Sequence, residues 1–319
     1  MTPPKVRRSG LTMPIVTPRF VDNAWRRGCD FVLLDLEDSV PQNRKAYART
    51  LVKDAIPKIE KGGTEAFVRI NHEHMQADTE AAVWPGLKRI KYPKTETADE
   101  VRALDAIITR METERGMPVG AIEIDAGIET ALAVANVYDI AAASPRVKEF
   151  GATNGGYDMS RDLGVEMFVP YDQFVYLRGE AELAARALGL GVRASPFIAN
   201  TSGSVSDGDR ALRLGEAAKA CGLRLGGGGL NPAVVESHNK GYTPNQADIR
   251  DAQWVLEQYA RVQATSEPWL DIEGRVIDRY EAARARELLQ WAELCAVRDA
   301  EKAAAVARVR IAMENEKPQ

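Results

Sequence analysis

The clearest strand signal in the sequence is the stretch Phe31-Val32-Leu33-Leu34-Asp35-Leu36-Glu37-Asp38-Ser39-Val40-Pro41. It opens with an unbroken apolar run, which is typical of a strand buried on both faces of a parallel sheet. Acids then follow at Asp35, Glu37 and Asp38. Acids are costly inside a core, but at the carboxyl end of a parallel strand they reach water, and ligands bind there in α/β folds. The stretch therefore predicts a strand that ends at a functional site, and an acidic turn that merely caps the next helix is the alternative.

Strand and helix patterns alternate on both sides of this stretch. The predicted strands span residues 11–16, 29–36, 65–71, 87–94, 118–125, 147–152, 191–198 and 223–225. The predicted helices span residues 19–27, 43–61, 98–115, 131–143, 174–188 and 207–221.

This alternation favours an α/β fold, a closed (β/α)8 TIM barrel, because about eight strand–helix units fill roughly 240 residues. An open, doubly wound sheet is the alternative. It is disfavoured because no G-x-G-x-x-G motif follows the first strand. Four glycines at 226–229 do not fit that motif. They indicate either a flexible turn or a backbone nest that holds a phosphate or carboxylate.

The composition changes after residue 244, where long segments rich in Ala, Glu and Arg begin. We therefore predict a barrel catalytic domain at 1–244 and a C-terminal helical extension at 245–319, with helices over 245–261 and 280–313. Such an extension would serve as a lid or as an oligomerisation arm.

Composition also limits the function. The net charge of the 319-residue chain is −4, which gives no reason to expect nucleic-acid binding. No apolar run approaches the about 20 residues that span a bilayer, and the N-terminus lacks the apolar region of a secretory signal. Cys29, Cys221 and Cys295 are widely spaced, which is typical of reduced thiols in a cytoplasmic protein. His72 and His74 have no third ligand nearby in the sequence, so a zinc site is disfavoured.

Polar residues recur where predicted strands end, and in a barrel those ends meet at one mouth. These residues are Asp35, Glu37, Arg69, Lys94, Glu129 and Asp158. Carboxylates without nearby His or Cys suit Mg²⁺, which takes one or two protein carboxylates plus oxygens of water and substrate. Bound Mg²⁺ acts as a Lewis acid on a 2-oxo acid, and an arginine grips its carboxylate or carbonyl oxygen. The set therefore suits making or breaking a carbon–carbon bond beside a carbonyl group.

Each of these residues also has a structural interpretation. Arg69 would be an ion-pair partner of Asp35 or Glu37. Glu129 would be a first-turn helix acid, and Asp158 an N-cap. Lys94 would be a solvated lysine after a proline.

The order of several motifs resembles that of the citrate lyase beta-subunit-like proteins, a branch of the HpcH/HpaI aldolase superfamily that includes malyl-CoA and citramalyl-CoA lyases. The motifs are Asp35-Leu36-Glu37-Asp38-Ser39-Val40, Arg69-Ile70-Asn71, Pro93-Lys94, Ile128-Glu129-Thr130-Ala131, Ala141-Ala142-Ala143-Ser144-Pro145-Arg146 and Gly155-Gly156-Tyr157-Asp158. Each motif is weak alone, but the ordered set covers most of the chain.

The resemblance implies a Mg²⁺-dependent barrel that cleaves or forms a 3-hydroxyacyl-CoA from an acyl-CoA and a 2-oxo acid. It implies that Glu129 and Asp158 bind the metal and that Arg69 holds the oxo or carboxylate group. It also implies that Asp35 and Glu37 organise metal-bound water and this arginine, and Lys94 is expected among the substrate-binding residues. The tail residue Asp278 matches an aspartate that acts as acid or base in a neighbouring subunit. A homotrimer or homohexamer is implied.

Three departures from the family pattern stand out. The segment between Arg146 and Asp158 is about two residues longer than usual, so Asn154 is a rival for the aspartate position. Gly226–Gly229 and Leu230-Asn231-Pro232 replace a glycine-lysine before Ile-His-Pro, and Pro14-Ile15 replaces a Pro-Gly turn. The last two places often contact CoA in the family. The alternatives are therefore an aldolase that acts on a free hydroxy-oxo acid without CoA, or a binding subunit that is not an enzyme.

Overall fold

One sheet forms the centre of the protein. The structure is a computed structural model that describes residues 5–152, 157–166, 173–193 and 204–315. Within these ranges the sheet has eight strands: β1 (Gly10–Pro14), β2 (Phe31–Asp35), β3 (Glu65–Arg69), β4 (Leu87–Tyr92), β5 (Glu123–Ile128), β6 (Glu149–Ala152), β7 (Gly191–Arg193) and β8 (Gly228–Gly229). The strands lie in the order β7-β6-β5-β4-β3-β2-β1-β8, and neighbours run parallel.

Helices alternate with these strands, as parallel strand connections require. They are α1 (Pro18–Val21), α2 (Lys45–Glu60), α3 (Met75–Ala82), α4 (Ala98–Glu114), α5 (Ala131–Ala135), α6 (Val137–Ala142), α7 (Tyr157–Leu163), α8 (Val175–Leu188), α9 (Gly208–Ala220), α10 (Val235–Tyr242), α11 (Gln246–Gln263) and α12 (Arg279–Asn315). An antiparallel hairpin, β9 (Trp269–Ile272) and β10 (Arg275–Asp278), separates the last two. In the described part of the chain, no helix combines the length and the apolar character needed to cross a membrane.

Most predicted elements are found within a few residues of their predicted bounds, but some predictions are wrong. The strand predicted at 118–125 begins only at Glu123, and the helix predicted at 131–143 is divided into α5 and α6 at Asn136. The helices α3, α7 and α10 were not predicted, because seven- and eight-residue segments are too short to show a clear helical period. Residues 194–198 of the predicted seventh strand lie outside the described residues.

The sheet is curled, as ion pairs across its interior show. Arg7 lies just before β1, and its Nη1 atom is 3.3 Å from Oε2 of Glu149 on β6. In a flat sheet these strands would be about 24 Å apart, at about 4.8 Å per strand. At the other edge, Gly191 of β7 packs against Leu225, which leads into β8. The predicted (β/α)8 TIM barrel is therefore confirmed.

Side chains on alternate strand positions fill either the barrel interior or the layer beneath the helices. Val32 and Leu34 join the large core between sheet and helices, whereas Phe31, Leu33 and Phe67 form a separate cluster inside the barrel. The rings of Phe31 and Phe67 stack with their centroids 4.7 Å apart. This division follows from the two-residue period of a strand.

An ionic cluster fills the barrel interior beside these rings, toward the amino-terminal ends of the strands. Nη1 of Arg7 lies 2.7 Å from Oε2 of Glu123, and Arg89 pairs with both Glu123 and Glu149. The guanidinium groups of Arg7 and Arg89 lie 5.0 and 4.8 Å from the ring centroid of Phe67. We call the rings and these ion pairs the barrel floor: Phe31, Phe67, Arg7, Arg89, Glu123 and Glu149.

The glycine run is neither a free turn nor a nest along its whole length. The strand predicted at 223–225 is wrong, because β8 is Gly228–Gly229, which pairs with β1. A Cβ atom on Gly226 would lie 1.7 Å from the carbonyl oxygen of Arg8, so only glycine permits this approach of two backbones. The glycines therefore allow the last strand to meet the first.

The C-terminal helix α12 packs against the amino-terminal end of the barrel. Arg8 donates to both oxygens of Asp30, just before β2, and its Nη2 atom is 2.5 Å from Asp299 on α12. Lys302 donates to Asp30 and, at 2.8 Å, to the carbonyl oxygen of Gly28. A second hydrophobic cluster joins α11, β10 and α12. The predicted helices of the tail are confirmed, and the division at residue 244 stays a prediction.

Candidate active site

The first pair at the barrel mouth joins β2 and β3. Asp35 and Arg69 are partners in the sheet register, at the carboxyl ends of their strands. Nε and Nη2 of Arg69 donate to the two oxygens of Asp35 at 2.7 and 2.8 Å, in a two-pronged pair. Burial alone would raise the pKa of Asp35, but the hydrogen bonds and charge of Arg69 and the bond from Ser39 lower it. The structural interpretation of Arg69 is therefore correct as far as Asp35 is concerned.

Glu37 extends this pair toward the next strand. Its Oε2 atom lies 2.8 Å from Nη1 of Arg69, in an ion pair whose geometry is not that of a hydrogen bond. Its Oε1 atom accepts a hydrogen bond of 2.9 Å from Nζ of Lys94. Burial raises the pKa of Glu37 above its ordinary value, against the charges of these two cations. Within the described part of the chain, Oε2 of Glu37 is therefore a buried carboxylate oxygen without an aligned donor.

Lys94 brings three carboxylates together. Its backbone has a positive φ of 49°, uncommon for a residue other than glycine. In this conformation its amide lies 3.3 Å from Oε2 of Glu129, while its ammonium group lies 3.6 Å from Oδ1 of Asp158 and reaches Glu37. The ion pairs raise the pKa of Lys94, although burial opposes them. The interpretation of Lys94 as a freely solvated lysine is wrong.

Glu129 follows β5 and faces the mouth. Its Oε1 atom accepts from Nζ of Lys91 at 2.9 Å. Burial would raise the pKa of Glu129, but the charge and hydrogen bond of Lys91, with the charge of Lys94, lower it. The side chain of Thr130, not that of Glu129, caps the following helix α5 by accepting from the amide of Ala133. The interpretation of Glu129 as a helix acid is therefore wrong.

Asp158 reaches the same rim from the first turn of α7. Asp162, on the same helix, accepts from the amide of Ala131 at 2.7 Å, which fixes α7 against the segment that follows Glu129. Asp158 lies inside the helix and is not its N-cap. The rival residue Asn154 lies outside the described residues.

Asp278 has a different position within the chain. It ends β10, and its Oδ1 atom accepts from the amides of Tyr280 and Glu281 at 2.8 Å each, as an N-cap of α12 does. None of the contacts described for Asp278 reaches the mouth of its own barrel. Its assignment as acid or base in a neighbouring subunit stays a prediction.

The charges at the mouth fit a hard divalent cation. Five carboxylates face three basic side chains there, a formal net charge of −2: Asp35, Glu37, Asp38, Glu129 and Asp158 against Arg69, Lys91 and Lys94. In the described residues, no group of three or more His, Cys, Asp or Glu side chains is arranged to hold a metal alone. Mg²⁺ needs only one or two protein carboxylates and keeps several waters, so Glu129 and Asp158 suit it. The assignment of these two residues as metal ligands stays a prediction.

Sequence reasoning missed two lysines of this site. The signal for Lys91 is the two-residue period along β4, which places it on the same face as the interior residue Arg89. Lys45 is buried at the start of α2, and its Nζ atom donates to the carbonyl oxygens of Leu36 and Glu37 and to Oδ1 of Asn71. No local sequence pattern predicts the contacts of Lys45, because its acceptors follow two different strands, β2 and β3.

Solved structures share this fold over nearly the whole chain. A citrate lyase from Burkholderia xenovorans LB400 has a TM-score of 0.74 at 19% identity, covering 92% of this chain and 93% of that one. The protein CitE from Mycobacterium tuberculosis, crystallised with magnesium, acetoacetate and coenzyme A, has a TM-score of 0.68 at 20% identity. That comparison covers 90% of this chain and 98% of that one.

Sequence comparison gives the family. The citrate lyase subunit beta of Leuconostoc mesenteroides subsp. cremoris is 30% identical over 293 residues, 90% of this chain and 94% of its own. The L-malyl-CoA/beta-methylmalyl-CoA lyase of Rhodobacter capsulatus is 27% identical over 319 residues, 92% of this chain and 97% of its own. A family model described as HpcH/HpaI aldolase/citrate lyase matches residues 8–223. These matches confirm the predicted family and lyase class: the chain belongs to the HpcH/HpaI aldolase/citrate lyase family.

Proposed function

We propose that this protein is a Mg²⁺-dependent carbon–carbon lyase that cleaves or forms a 3-hydroxyacyl-CoA of the malyl-CoA or citramalyl-CoA type. The observation that carries the proposal is the position of Lys94, which contacts Glu37, Glu129 and Asp158 at the barrel mouth. Arg69 borders the same group through Glu37. Carboxylates for a cation and a fork for an anionic oxo acid therefore lie side by side.

In the cleavage direction, a base removes the proton from the substrate hydroxyl group. The bond between the hydroxyl-bearing carbon and the carbon beside the thioester then breaks, which leaves a 2-oxo acid and the enolate of the acyl-CoA. The enolate carbon takes a proton, which we assign to Asp278 of a neighbouring subunit. Glu129 and Asp158 would hold Mg²⁺, which when bound supplies Lewis-acid stabilisation of developing negative charge on oxygen.

Arg69 positions the oxo-acid portion of the substrate in this scheme. Asp35 holds two of its nitrogens, so the plane of the guanidinium group is fixed before substrate arrives. Asp35 and Glu37 orient this arginine, and Lys94 adds a positive charge for the substrate carboxylate. The relatives named for malyl-CoA and citrate cleavage support this substrate class.

Two structural features support an oligomer. Asp278 lies in the hairpin opposite Trp269, and the exposed fractions of Trp269, Val276 and Tyr280 are 51, 50 and 67%. Asp278 has no described contact at the mouth of its own barrel, and exposed apolar side chains around it favour contact with another subunit. We therefore propose a homotrimer or homohexamer in which Asp278 completes a neighbouring site. The three free thiols also favour a location in the cytoplasm.

An aldolase that acts on a free hydroxy-oxo acid is the second candidate. It is favoured by the segment after the glycine run, where Leu230 is 69% exposed and Asn231 only caps a short helix. A thermal-shift comparison of acetyl-CoA with pyruvate, each with Mg²⁺, separates the two candidates. Stabilisation by acetyl-CoA supports the CoA-ester lyase, and stabilisation by pyruvate alone supports the aldolase.

The substitution Glu129→Gln tests the main proposal. It keeps the shape of the side chain but removes a charged metal ligand, so turnover of malyl-CoA or citramalyl-CoA with Mg²⁺ should fall by about a thousandfold, since Lewis-acid stabilisation is worth several kcal/mol. The matched control is Glu114→Gln, at an exposed site at the end of α4, which should leave turnover unchanged. Circular dichroism of both variants confirms folding. Retained activity in a folded Glu129→Gln variant would contradict the assignment.

A further inference from the structure

Lys91 lies inside the barrel, one layer above the floor. In the sheet register it is the partner of Arg69 on β3 and of Asp125 on β5. Two residues before it, Arg89 is fully buried in the ionic cluster, so alternation along the strand directs Lys91 into the interior as well. The side chain of Lys91 is only 15% exposed. The basic side chain of Lys91 therefore reaches the mouth from the side of the barrel floor.

The ammonium group of Lys91 forms an ion pair with Glu129, which is a proposed metal ligand. Nζ of Lys91 lies 2.9 Å from Oε1 of Glu129, while Oε2 is contacted by the amide of Lys94 at 3.3 Å. The first oxygen of Glu129 is thus held by a full positive charge, and the second by a long contact to a neutral amide. The contact with Lys91 therefore selects Oε2 as the oxygen of Glu129 that remains for a cation.

A fixed positive charge at this place affects two ligands in opposite ways. It repels a divalent cation held by Glu129, and it attracts the carboxylate of an oxo acid. Even at the dielectric constant of water, a unit charge about 6 Å from a divalent cation weakens its binding about tenfold. Because Lys91 is mostly buried, screening by salt is limited.

We propose that Lys91 is a positioning residue that presents one oxygen of Glu129 to Mg²⁺, lowers the affinity for Mg²⁺ and raises the affinity for the anionic oxo acid. This inference rests on the proposed function, since it takes Glu129 as a metal ligand. It adds a residue that the family motifs in the sequence do not include. Lys91 thereby sets the balance between the two affinities.

Lys91→Met removes the charge and keeps a long side chain. Isothermal titration calorimetry of the full-length protein with Mg²⁺ should then give a dissociation constant about tenfold lower than that of the unaltered protein. With Mg²⁺ saturating, the dissociation constant for pyruvate should rise by a similar factor. Lys91→Arg keeps the charge and should leave both constants within about threefold of their original values.

Lys88→Met is the matched control on the same strand. Lys88 is 42% exposed and pairs with Glu60 on α2 at 3.3 Å, so it lies on the helix side of the sheet, outside the barrel. Its loss should change neither constant. If Lys91→Met does not fold, as judged by circular dichroism, Lys91→Gln replaces it in the same titrations.

The outcomes separate this inference from the proposed function. Opposite shifts of the two constants in the neutral variant, but not in Lys88→Met, support the role of Lys91. If Mg²⁺ binds the unaltered protein and both constants of the neutral variant stay the same or shift in one direction, the role of Lys91 is wrong while the metal site stands. If the unaltered protein binds no Mg²⁺ by calorimetry, the proposed function is wrong, and this inference with it.

Discussion

Arg69 shows how a single residue links fold and chemistry. Its guanidinium group is held by Asp35, which is fully buried, and it touches Glu37 and the exposed Asp38 at the mouth. The two hydrogen bonds to Asp35 fix the plane of the guanidinium group, and this also fixes the direction of its remaining N–H donors. In the proposed function, the planar fork of Arg69 lets one side chain hold a buried carboxylate and also face the substrate.

Arg69→Lys tests the need for this fork. The variant keeps the positive charge but cannot make the two-pronged bond to Asp35, so we expect kcat/KM to fall by about a hundredfold or more, because a small misplacement at a reacting centre has that effect. The measurement is steady-state kinetics with malyl-CoA or citramalyl-CoA, with circular dichroism as a check of folding. Arg102→Lys, in an exposed pair on α4, is the control. A folded Arg69→Lys variant with nearly full activity would show that the fork is dispensable.

The candidate residues at the strand ends could be predicted from sequence, because charge at the end of a buried strand is costly without a partner or a ligand. Their roles at the site stay predictions. Lys91 could not be singled out in this way, because it lies within β4 and not at the strand end. The contacts of Asp278 within this chain are those of an ordinary helix cap, so its proposed acid or base role stays a prediction.

Among the elements, the connection from β2 to α2 controls the geometry of the site. The chain turns sharply after Asp35, and Lys45 in the first turn of α2 donates to two carbonyl oxygens of that turn and to Asn71 after β3. Asn71 in turn donates to Leu36 and to Asp78 on α3. Helices and strand ends are therefore connected by a buried network of hydrogen bonds.

Lys45→Met should disrupt this element. Three buried acceptors lose their donor, so we expect the free energy of unfolding to fall by about 2–4 kcal/mol, together with a loss of activity. Urea denaturation followed by fluorescence measures the first effect. Lys58→Met, at an exposed pair on the same helix, should change stability by less than about 0.5 kcal/mol. Equal effects of the two substitutions would argue against a role for the network.

Strand β8 shows where element prediction fails and why. Leu223 and Leu225 give the stronger strand signal, but the residues that pair with β1 are Gly228 and Gly229. Glycine has low strand propensity, and its use here depends on how closely β1 approaches. That approach of β1 to β8 depends on how the whole sheet curls, so a short segment of sequence does not reveal it.

At the scale of the whole molecule, charge is concentrated at both ends of the barrel. The floor pairs arginines and glutamates that lie far apart in the sequence, and the outer face of that end carries the cluster of Arg8, Asp30 and Lys302 against α12. Sequence predicted the barrel and the tail helices but not this docking, because it depends on ion pairs between residues hundreds of positions apart.

The floor makes stability depend on pH. Burial would raise the pKa of Glu123, but Arg89 and Arg7 lower it from 4.5 to about 2. A carboxylate whose pKa is lowered by folding stabilises the protein fully when the pH is above its pKa in the unfolded state. This stabilisation is lost as the pH falls toward its pKa in the folded state. We expect Glu123 to contribute on the order of 3 kcal/mol above pH 4.5, with progressive loss between about pH 4.5 and 2. Urea denaturation across this range measures it.

Glu123→Gln provides the comparison for this pH dependence. The variant has no carboxylate to protonate, so its unfolding free energy should be lower at pH 7 and should change less steeply with pH below 4.5. Glu114→Gln, at an exposed helix position, should follow the unaltered protein. Identical pH slopes for the Glu123→Gln variant and the unaltered protein would exclude this source of acid sensitivity.

The barrel floor also affects how small molecules enter and leave the barrel. Phe31, Phe67 and the arginines beside them fill the described interior toward the amino-terminal ends of the strands. The mouth with Arg69 and Lys94 lies at the opposite ends of the strands. We therefore expect reactants and products to use the same mouth of the barrel. Under the proposed function, this arrangement predicts that the product bound deeper in the barrel leaves after the product bound nearer the mouth.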